Sequence, residues 1–155
     1  MNRHIDRSLL NPGAPVRPAS PEAGRATSPI QREILREHAR KIRSARDLRQ
    51  EWFDRNIFGE PAWEMLLTLY IIDGEERRLS TRRIAKLANL SLTTTLRWLD
   101  YLEEQQLINR RRNPFDQRVV DTELSDKGRT AMDAYLMRSC AADAMDKWRA
   151  ANASR

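Results

Sequence analysis

Apolar side chains recur at helical spacing from Ser28 onward. Ser28 is a residue type that caps helices, and Pro29 suits the first helical turn. The apolar positions that follow are Ile30, Ile34, Leu35, Ile42 and Leu48. The pattern predicts a first helix over residues 28–49.

A second apolar pattern predicts helical structure from about Glu51. It is interrupted between Phe58 and Pro61, and Asp73 and Gly74 end it. Its second part carries Trp63, Leu66, Leu67, Tyr70 and Ile71. We therefore expect a broken second helix, followed by a short link over residues 75–79.

Two short helices separated by a brief turn are predicted next. Ser80 can cap the first and Ser91 the second, with Asn89 and Leu90 in the turn between them. Their apolar members are Ile84, Ala85, Leu87 and Ala88 in the first helix, and Leu92, Leu96, Leu99 and Leu102 in the second. Trp98 is also expected to pack, against the hairpin that follows or the preceding helix.

A strand, a turn and a second strand are predicted after Ile108. The charged run 109–112 leads into a turn cluster at 113–116, and the β-branched Val119, Val120 and Thr122 follow. Ser125 can cap a long last helix, whose apolar members include Met132, Leu136, Met137, Cys140, Met145 and Trp148. Helices followed by a hairpin are the order of a winged helix, so we expect a mainly α fold with a small β-hairpin wing.

Residues 1–27 have a different composition from the rest of the chain. They contain four prolines and two glycines with scattered arginines and few large apolar groups. Such a segment buries too little surface to offset its ordering entropy. We expect a disordered, solvated tail, in preference to an arm whose arginines contact phosphate.

Several motifs between Pro61 and Leu136 resemble the MarR family of winged helix-turn-helix regulators. The matching positions are Leu79-Ser80-Thr81, Ile84-Ala85, Leu90-Ser91, Thr94, Arg97, Asp100, Leu102-Glu103-Glu104, Leu107-Ile108-x-Arg110, Asp116-x-Arg118 and Leu124-Ser125-x-x-Gly128. Two positions depart from the family pattern: the mid-helix pair is Thr95-Leu96, and Gln106 stands where glycine is usual. A left-handed turn at Gln106 is expected to be strained or differently built.

The resemblance implies a sequence-specific regulator that binds double-stranded DNA, as a homodimeric repressor on a pseudo-palindromic operator. It divides residues 28–155 into a DNA-binding head, 61–124, and dimerisation helices, 28–49 and 125–151. A recognition helix, 91–105, would enter the major groove, and a wing, 109–120, would lie at the minor groove. A winged-helix adaptor that binds protein is the alternative, since fold does not fix function.

The candidate DNA contacts fall into a helix set and a wing set. In the helix, Thr93 and Thr94 can bond to phosphates or base edges, and Arg97 can reach guanine in a bidentate fork. In the wing, the expected contacts are Arg110, Arg111, Arg112, Asp116, Gln117 and Arg118. The arginine run suits phosphate, and the resemblance places Arg118 in the minor groove with Asp116 steadying it. A merely solvated charged hairpin is the alternative.

The charge balance agrees with a polyanionic partner. The chain has 28 Lys and Arg against 22 Asp and Glu, with a pI near 10.1. Residues 80–118 contain eight basic and four acidic side chains, which gives this segment a net charge of +4. The excess is therefore concentrated in the predicted head.

The first and last helices carry more apolar residues than one small head can cover. Examples are Ile30, Ile34, Leu136, Met137 and Met145. We expect them to form the homodimer, with an intramolecular helix pair as the alternative. The resemblance also allows a small aromatic effector, which Trp52, Phe53, Trp63 and Tyr70 could bind, although aromatic residues at such positions are usually core.

Other functional classes find little support. His4 and His38 accompany no nucleophile motif or glycine-rich phosphate loop, so we expect no enzyme, no cofactor and no metal, and a surface or interface place for His38. The single Cys140 excludes an internal disulfide, and we expect it to be packed and inert, not a peroxide sensor. The longest apolar run, 65–72, is too short to span a membrane, so a cytoplasmic location is expected.

Overall fold

The structure, a computed structural model, describes residues 27–49, 51–53, 59–73 and 78–152. Within these ranges the elements are α1 (Pro29–Arg49), α2 (Pro61–Ile72), β1 (Leu79–Ser80), α3 (Thr81–Leu87), α4 (Leu92–Glu104), β2 (Ile108–Arg112), β3 (Val120–Leu124) and α5 (Asp126–Asn152). The expected mainly α fold with a small β-hairpin wing is confirmed. The predicted disordered tail, 1–27, lies outside the described residues except for Thr27.

The second helix begins later than the sequence pattern predicts. The helix expected from Glu51 is not found in the part described, because residues 51–53 form a turn in which the Phe53 amide donates to the Arg49 carbonyl at 3.1 Å. Pro61 begins α2 instead. Proline suits that position because its fixed φ is helical and its missing N–H would have no helical partner there.

A short strand that the sequence pattern does not indicate completes the sheet. β1 pairs with β3 antiparallel, with Leu79 opposite Thr122, and β3 pairs with β2, giving the order β1-β3-β2. Two residues are too few for the alternation that identifies a strand, so 75–79 is predicted only as a link. The sheet fixes the wing to the start of α3, since Ser80 both pairs in β1 and caps that helix.

One hydrophobic core joins the helices and the sheet. Its fully buried large side chains include Met65, Leu67, Leu79, Ile84, Leu99, Leu102, Ile108 and Leu136. Tyr70 is buried among them and donates a hydrogen bond to the Asp133 carboxylate. Burial, together with that hydrogen bond, raises the pKa of Tyr70 above its ordinary value. Tyr70 is therefore a core hydrogen-bond donor.

Polar cross-links fix α1 against α5. Asp133 also accepts a hydrogen bond from the Thr27 hydroxyl at 2.8 Å, and His38 Nε2 lies 2.7 Å from Ser139 Oγ. His38 is 7% exposed, so its expected place on the surface is wrong; it lies between two helices of the same chain. Leu136 likewise belongs to this chain's own core and is not available to a partner.

The beginning of α5 is fixed on the turn between α4 and β2. Ser125 donates its amide to the Leu107 carbonyl at 3.0 Å and its hydroxyl to the Gln106 carbonyl at 2.6 Å, and Lys127 Nζ donates to the Gln105 carbonyl at 2.8 Å. Gln106 itself has a φ of 60°, so the left-handed turn is built without glycine. These bonds connect the long last helix directly to the C-terminal end of α4.

Candidate nucleic-acid interface

Two serine caps and a left-handed asparagine build the turn between α3 and α4. Ser80 Oγ accepts from the Arg83 amide at 3.3 Å, and Ser91 Oγ accepts from the Thr94 amide at 3.1 Å. Asn89 has a φ of 52°, a conformation that asparagine tolerates better than most residues. The two predicted caps are therefore in place, and they fix where α4 begins.

Helix α4 is anchored by Thr95, Leu99 and Leu102, which are at most 2% exposed. Thr95 Oγ1 donates to the Ser91 carbonyl at 2.9 Å, so its hydroxyl is satisfied although it is buried. Thr93 and Arg97 are exposed, on the side of the helix away from these anchors. Thr94 is half-buried, and its hydroxyl accepts from Ser91 Oγ at 2.8 Å.

The Arg97 guanidinium is oriented by its neighbour. Its central carbon lies 5.9 Å from the centroid of the Trp98 ring, at cation–π distance. Trp98 is half-buried against the core and meets Tyr101 of the same helix edge to face at 5.6 Å, so its expected contact with the hairpin or the preceding helix stays a prediction. An arginine held on an aromatic face loses less freedom when it binds.

Leu92 and Leu96, two of the four apolar members predicted for α4, lie largely outside its buried stripe. They are 43% and 41% exposed, whereas Thr95 is fully buried. The reason is geometric: Thr95, Leu99 and Leu102, spaced by four and three residues, form one stripe, and Leu92 and Leu96 fall on its flank. The sequence reasoning thus missed two apolar residues on the accessible surface of the helix.

The arginine run of the wing divides into two kinds of residue. Arg111 and Arg112 are exposed. Arg110 is 18% exposed, and its guanidinium bonds to Asp100 and lies 3.4 Å from Glu103 of α4. Arg110 therefore fixes β2 to α4, whereas the other two are accessible to a ligand.

Hydrogen bonds from two side chains shape the wing tip. Asn113 Oδ1 accepts from the Phe115 and Asp116 amides at 2.8 and 3.2 Å, and Asp116 Oδ1 accepts from the Arg118 amide at 3.0 Å. Asp116, Gln117 and Arg118 are all exposed. Asp116 thus steadies the backbone of Arg118. Contact of the Arg118 guanidinium with DNA stays a prediction.

Comparison with known proteins finds a family match for the middle of the chain. Residues 61–120 match the model of the MarR family. Over this range the chain is similar to the MarR family. The matched range contains α2, β1, α3, α4 and β2, and it ends at the first residue of β3.

Individual relatives are distant in sequence. The HTH-type transcriptional repressor YetL of Bacillus subtilis is 26% identical over 87 residues, which are 56% of this chain and 51% of YetL. The chain thus matches about half the length of that relative. The crystal structure of an S. aureus MepR–DNA complex is 20% identical, covers 79% of this chain and 94% of its own, and has a TM-score of 0.52. A mutant MarR from E. coli is 17% identical over 77% of this chain and 74% of its own, with a TM-score of 0.47.

Exposed basic side chains lie on α3 and on the wing, which precede and follow α4 in the chain. Arg82 and Lys86 are exposed on α3, and Arg111, Arg112 and Arg118 are exposed on the wing. Two of the four acidic residues of this region, Asp100 and Glu103, are paired with Arg110. Exposed positive charge therefore lies on α3 and on the wing, and both α3 and β2 contact α4.

The aromatic residues predicted to bind an effector are dispersed. Tyr70 is a core residue, and Trp52 and Phe53 are 78% and 54% exposed. Trp63 lines an open cavity of about 360 Å³ with Glu60, Pro61, Ala62 and Tyr135, and its ring meets that of Tyr135 edge to face at 4.9 Å. Binding of an aromatic effector stays a prediction, and this cavity is its candidate binding site.

The remaining candidate chemistry is sparse in the part of the chain that the structure describes. No group of three His, Cys, Asp or Glu side chains there could hold a metal ion. Cys140 is a free, half-buried thiol. None of the described helices has the length and apolar character needed to cross a membrane.

Proposed function

We propose that the chain is a sequence-specific, double-stranded DNA-binding transcriptional regulator, a repressor that acts as a homodimer in the cytoplasm and has no enzymatic activity. The observation that carries the proposal is the exposed Thr93 and Arg97 face of a rigidly anchored helix, flanked by exposed arginines of the wing. A helix of this kind fits the major groove, and a basic hairpin beside it fits the backbone or the minor groove. The family match and the repressor named among its relatives support the same conclusion.

The helix and the wing should contribute differently to binding. Arg97→Ala should selectively weaken preferred duplexes, costing about 1–3 kcal/mol of discrimination at one base pair, because a bidentate guanine contact is lost. Arg111→Ala should weaken preferred and random DNA alike and lower the magnitude of the salt slope by about one unit, as expected of a phosphate contact. Arg118→Ala should mainly penalise sites with a narrow, A·T-rich minor groove.

Fluorescence anisotropy at several salt concentrations measures all three effects, using a duplex selected from a random library by the full chain. Circular dichroism checks that each variant is folded. The adaptor alternative predicts no steep salt dependence and no difference among the three variants. If the folded variants all bind both kinds of duplex as the parent does, the proposal of DNA binding is wrong.

A homodimer is proposed because apolar side chains remain uncovered along α1 and α5. Ile30, Ile34, Met137 and Met145 are 77%, 56%, 40% and 51% exposed, although α1 and α5 pack against each other within the chain. Packing of α1 against α5 within the chain therefore covers only the inner faces of these two helices and leaves the four apolar side chains accessible. Two-fold symmetry would set two copies of α4 about one duplex turn apart.

Light scattering at micromolar concentration should report the mass of two chains for the parent and one chain for Ile34→Glu, because a buried charge in the apolar interface is costly. Phe115→Glu, which alters an exposed aromatic residue at the wing tip, is the matched control and should remain a dimer. A parent that is monomeric, or an Ile34→Glu variant that stays dimeric, would refute an interface built on this face.

A further inference from the structure

The accessible surface of α4 has an inverted pattern. A threonine, Thr95, is fully buried and satisfied by the Ser91 carbonyl, while Leu92 and Leu96 are 43% and 41% exposed. A helix that only needed to pack would bury the leucines and expose the threonine. Departures of this kind concentrate at functional sites.

The two leucines form a short ridge beside the polar reading face. They are four residues apart, so their side chains are neighbours on the helix surface, and Thr93 and Arg97 directly follow them in sequence. The ridge therefore lies in the N-terminal half of α4, where a recognition helix meets base edges.

The surroundings of the ridge identify the chemistry of its partner. On α3 and the wing, which contact α4, exposed basic side chains suit a polyanion, and Arg97 directly follows Leu96 in sequence; the basic residues are Arg82, Lys86, Arg111, Arg112 and Arg118. In the major groove of a duplex, the apolar group that is presented to a protein is the C5-methyl group of thymine. A second copy of the chain fits less well, because a stable interface buries about 800 Å² on each partner and the ridge is two half-exposed leucines among charges.

We propose that Leu92 and Leu96 bind thymine C5-methyl groups, so that thymine stands next to the base read by Arg97 in each half-site. This inference rests on the proposed DNA-binding function and adds the identity of the base that the apolar part of the helix selects. Apolar contact discriminates by the methyl group alone, which makes the inference testable by removing that group from the DNA.

Deoxyuridine differs from thymidine only in lacking the methyl group, so it leaves base pairing intact. In the duplex selected by the full chain, each thymine is replaced in turn by deoxyuridine, and binding of the full chain is measured by anisotropy. At one or more positions the parent should bind about fourfold more weakly, the value of one buried methyl group. Leu96→Ala should bind the thymine duplex more weakly and lose most of the difference between the two duplexes.

Arg111→Ala is the contrast: it should weaken both duplexes while keeping the parent's ratio between them. If circular dichroism shows that Leu96→Ala is not folded, Leu92→Ala is compared with the parent on the same two duplexes instead. If the parent binds every deoxyuridine duplex as it binds thymine, while Arg97→Ala still loses discrimination, the methyl contact is wrong and DNA binding stands. If the full chain selects no duplex, and no variant alters binding, both the function and this inference fail.

Discussion

Gly128→Ala is expected to destabilise the folded chain by about 3 kcal/mol, the upper part of the usual range for overpacking. A Cβ built on Gly128 would lie 2.0 Å from the Leu107 carbonyl oxygen, a backbone atom that cannot move aside alone. Helix propensity by itself predicts the opposite sign, since alanine is favoured over glycine by about 1 kcal/mol inside a helix. Chemical denaturation therefore tests whether the close approach of α5 to the α4–β2 turn determines the effect.

Thr130→Ala is the matched control, an exposed position two residues further along α5 that should change stability by no more than about 0.5 kcal/mol. Binding of the selected duplex by the folded fraction of Gly128→Ala should also weaken, because displacing Leu107 moves the end of α4. A Gly128→Ala variant as stable as the parent would contradict the tight junction.

Arg110→Ala is expected to weaken preferred and random duplexes by about tenfold or more, a larger loss than for Arg111→Ala. Arg110 compensates the charges of Asp100 and Glu103 on α4. Without it, two carboxylates would lie next to the DNA phosphates, and like charges placed together across an interface cost several kcal/mol. The side chain is then a positioning and compensating residue, not primarily a phosphate contact.

Restoration of binding distinguishes these roles. Adding Asp100→Asn and Glu103→Gln to Arg110→Ala removes the uncompensated charges and should recover most of the lost affinity in anisotropy titrations. A direct phosphate contact predicts instead that Arg110→Ala weakens binding by the same factor in the Asp100→Asn, Glu103→Gln background as in the parent. Circular dichroism again checks the fold, and lack of recovery in folded protein would return Arg110 to the set of direct contacts.

The order of elements follows from local features of the chain. Ser80 and Ser91 cap their helices where predicted because capping needs only the serine side chain and amides two or three residues on. The wing turn is equally local, since Asn113 and Asp116 accept hydrogen bonds from amides within three residues. Such short-range chemistry is present in the sequence itself.

The surface of the candidate interface depends on partners distant in sequence. Arg110 looks like Arg111 in the sequence, but strand alternation turns the two to opposite faces of β2, and Arg110 meets Asp100 and Glu103 of α4. His38 is buried because α5, about a hundred residues later, provides Ser139. Strand β1 exists because β3 offers it hydrogen bonds, which a two-residue segment cannot indicate alone.

The sequence by itself thus determined where α1, α3 and α4 begin, and that a basic hairpin follows the second of two short capped helices, but it did not determine where α2 begins. Only the tertiary structure decided how α4 is rotated. Leu92, Thr95, Leu96, Leu99 and Leu102 are compatible with two neighbouring apolar stripes, and a helix has no preference between them until it packs. Packing buried the stripe that contains Thr95, because its hydroxyl bonds back to the Ser91 carbonyl, and left two leucines accessible.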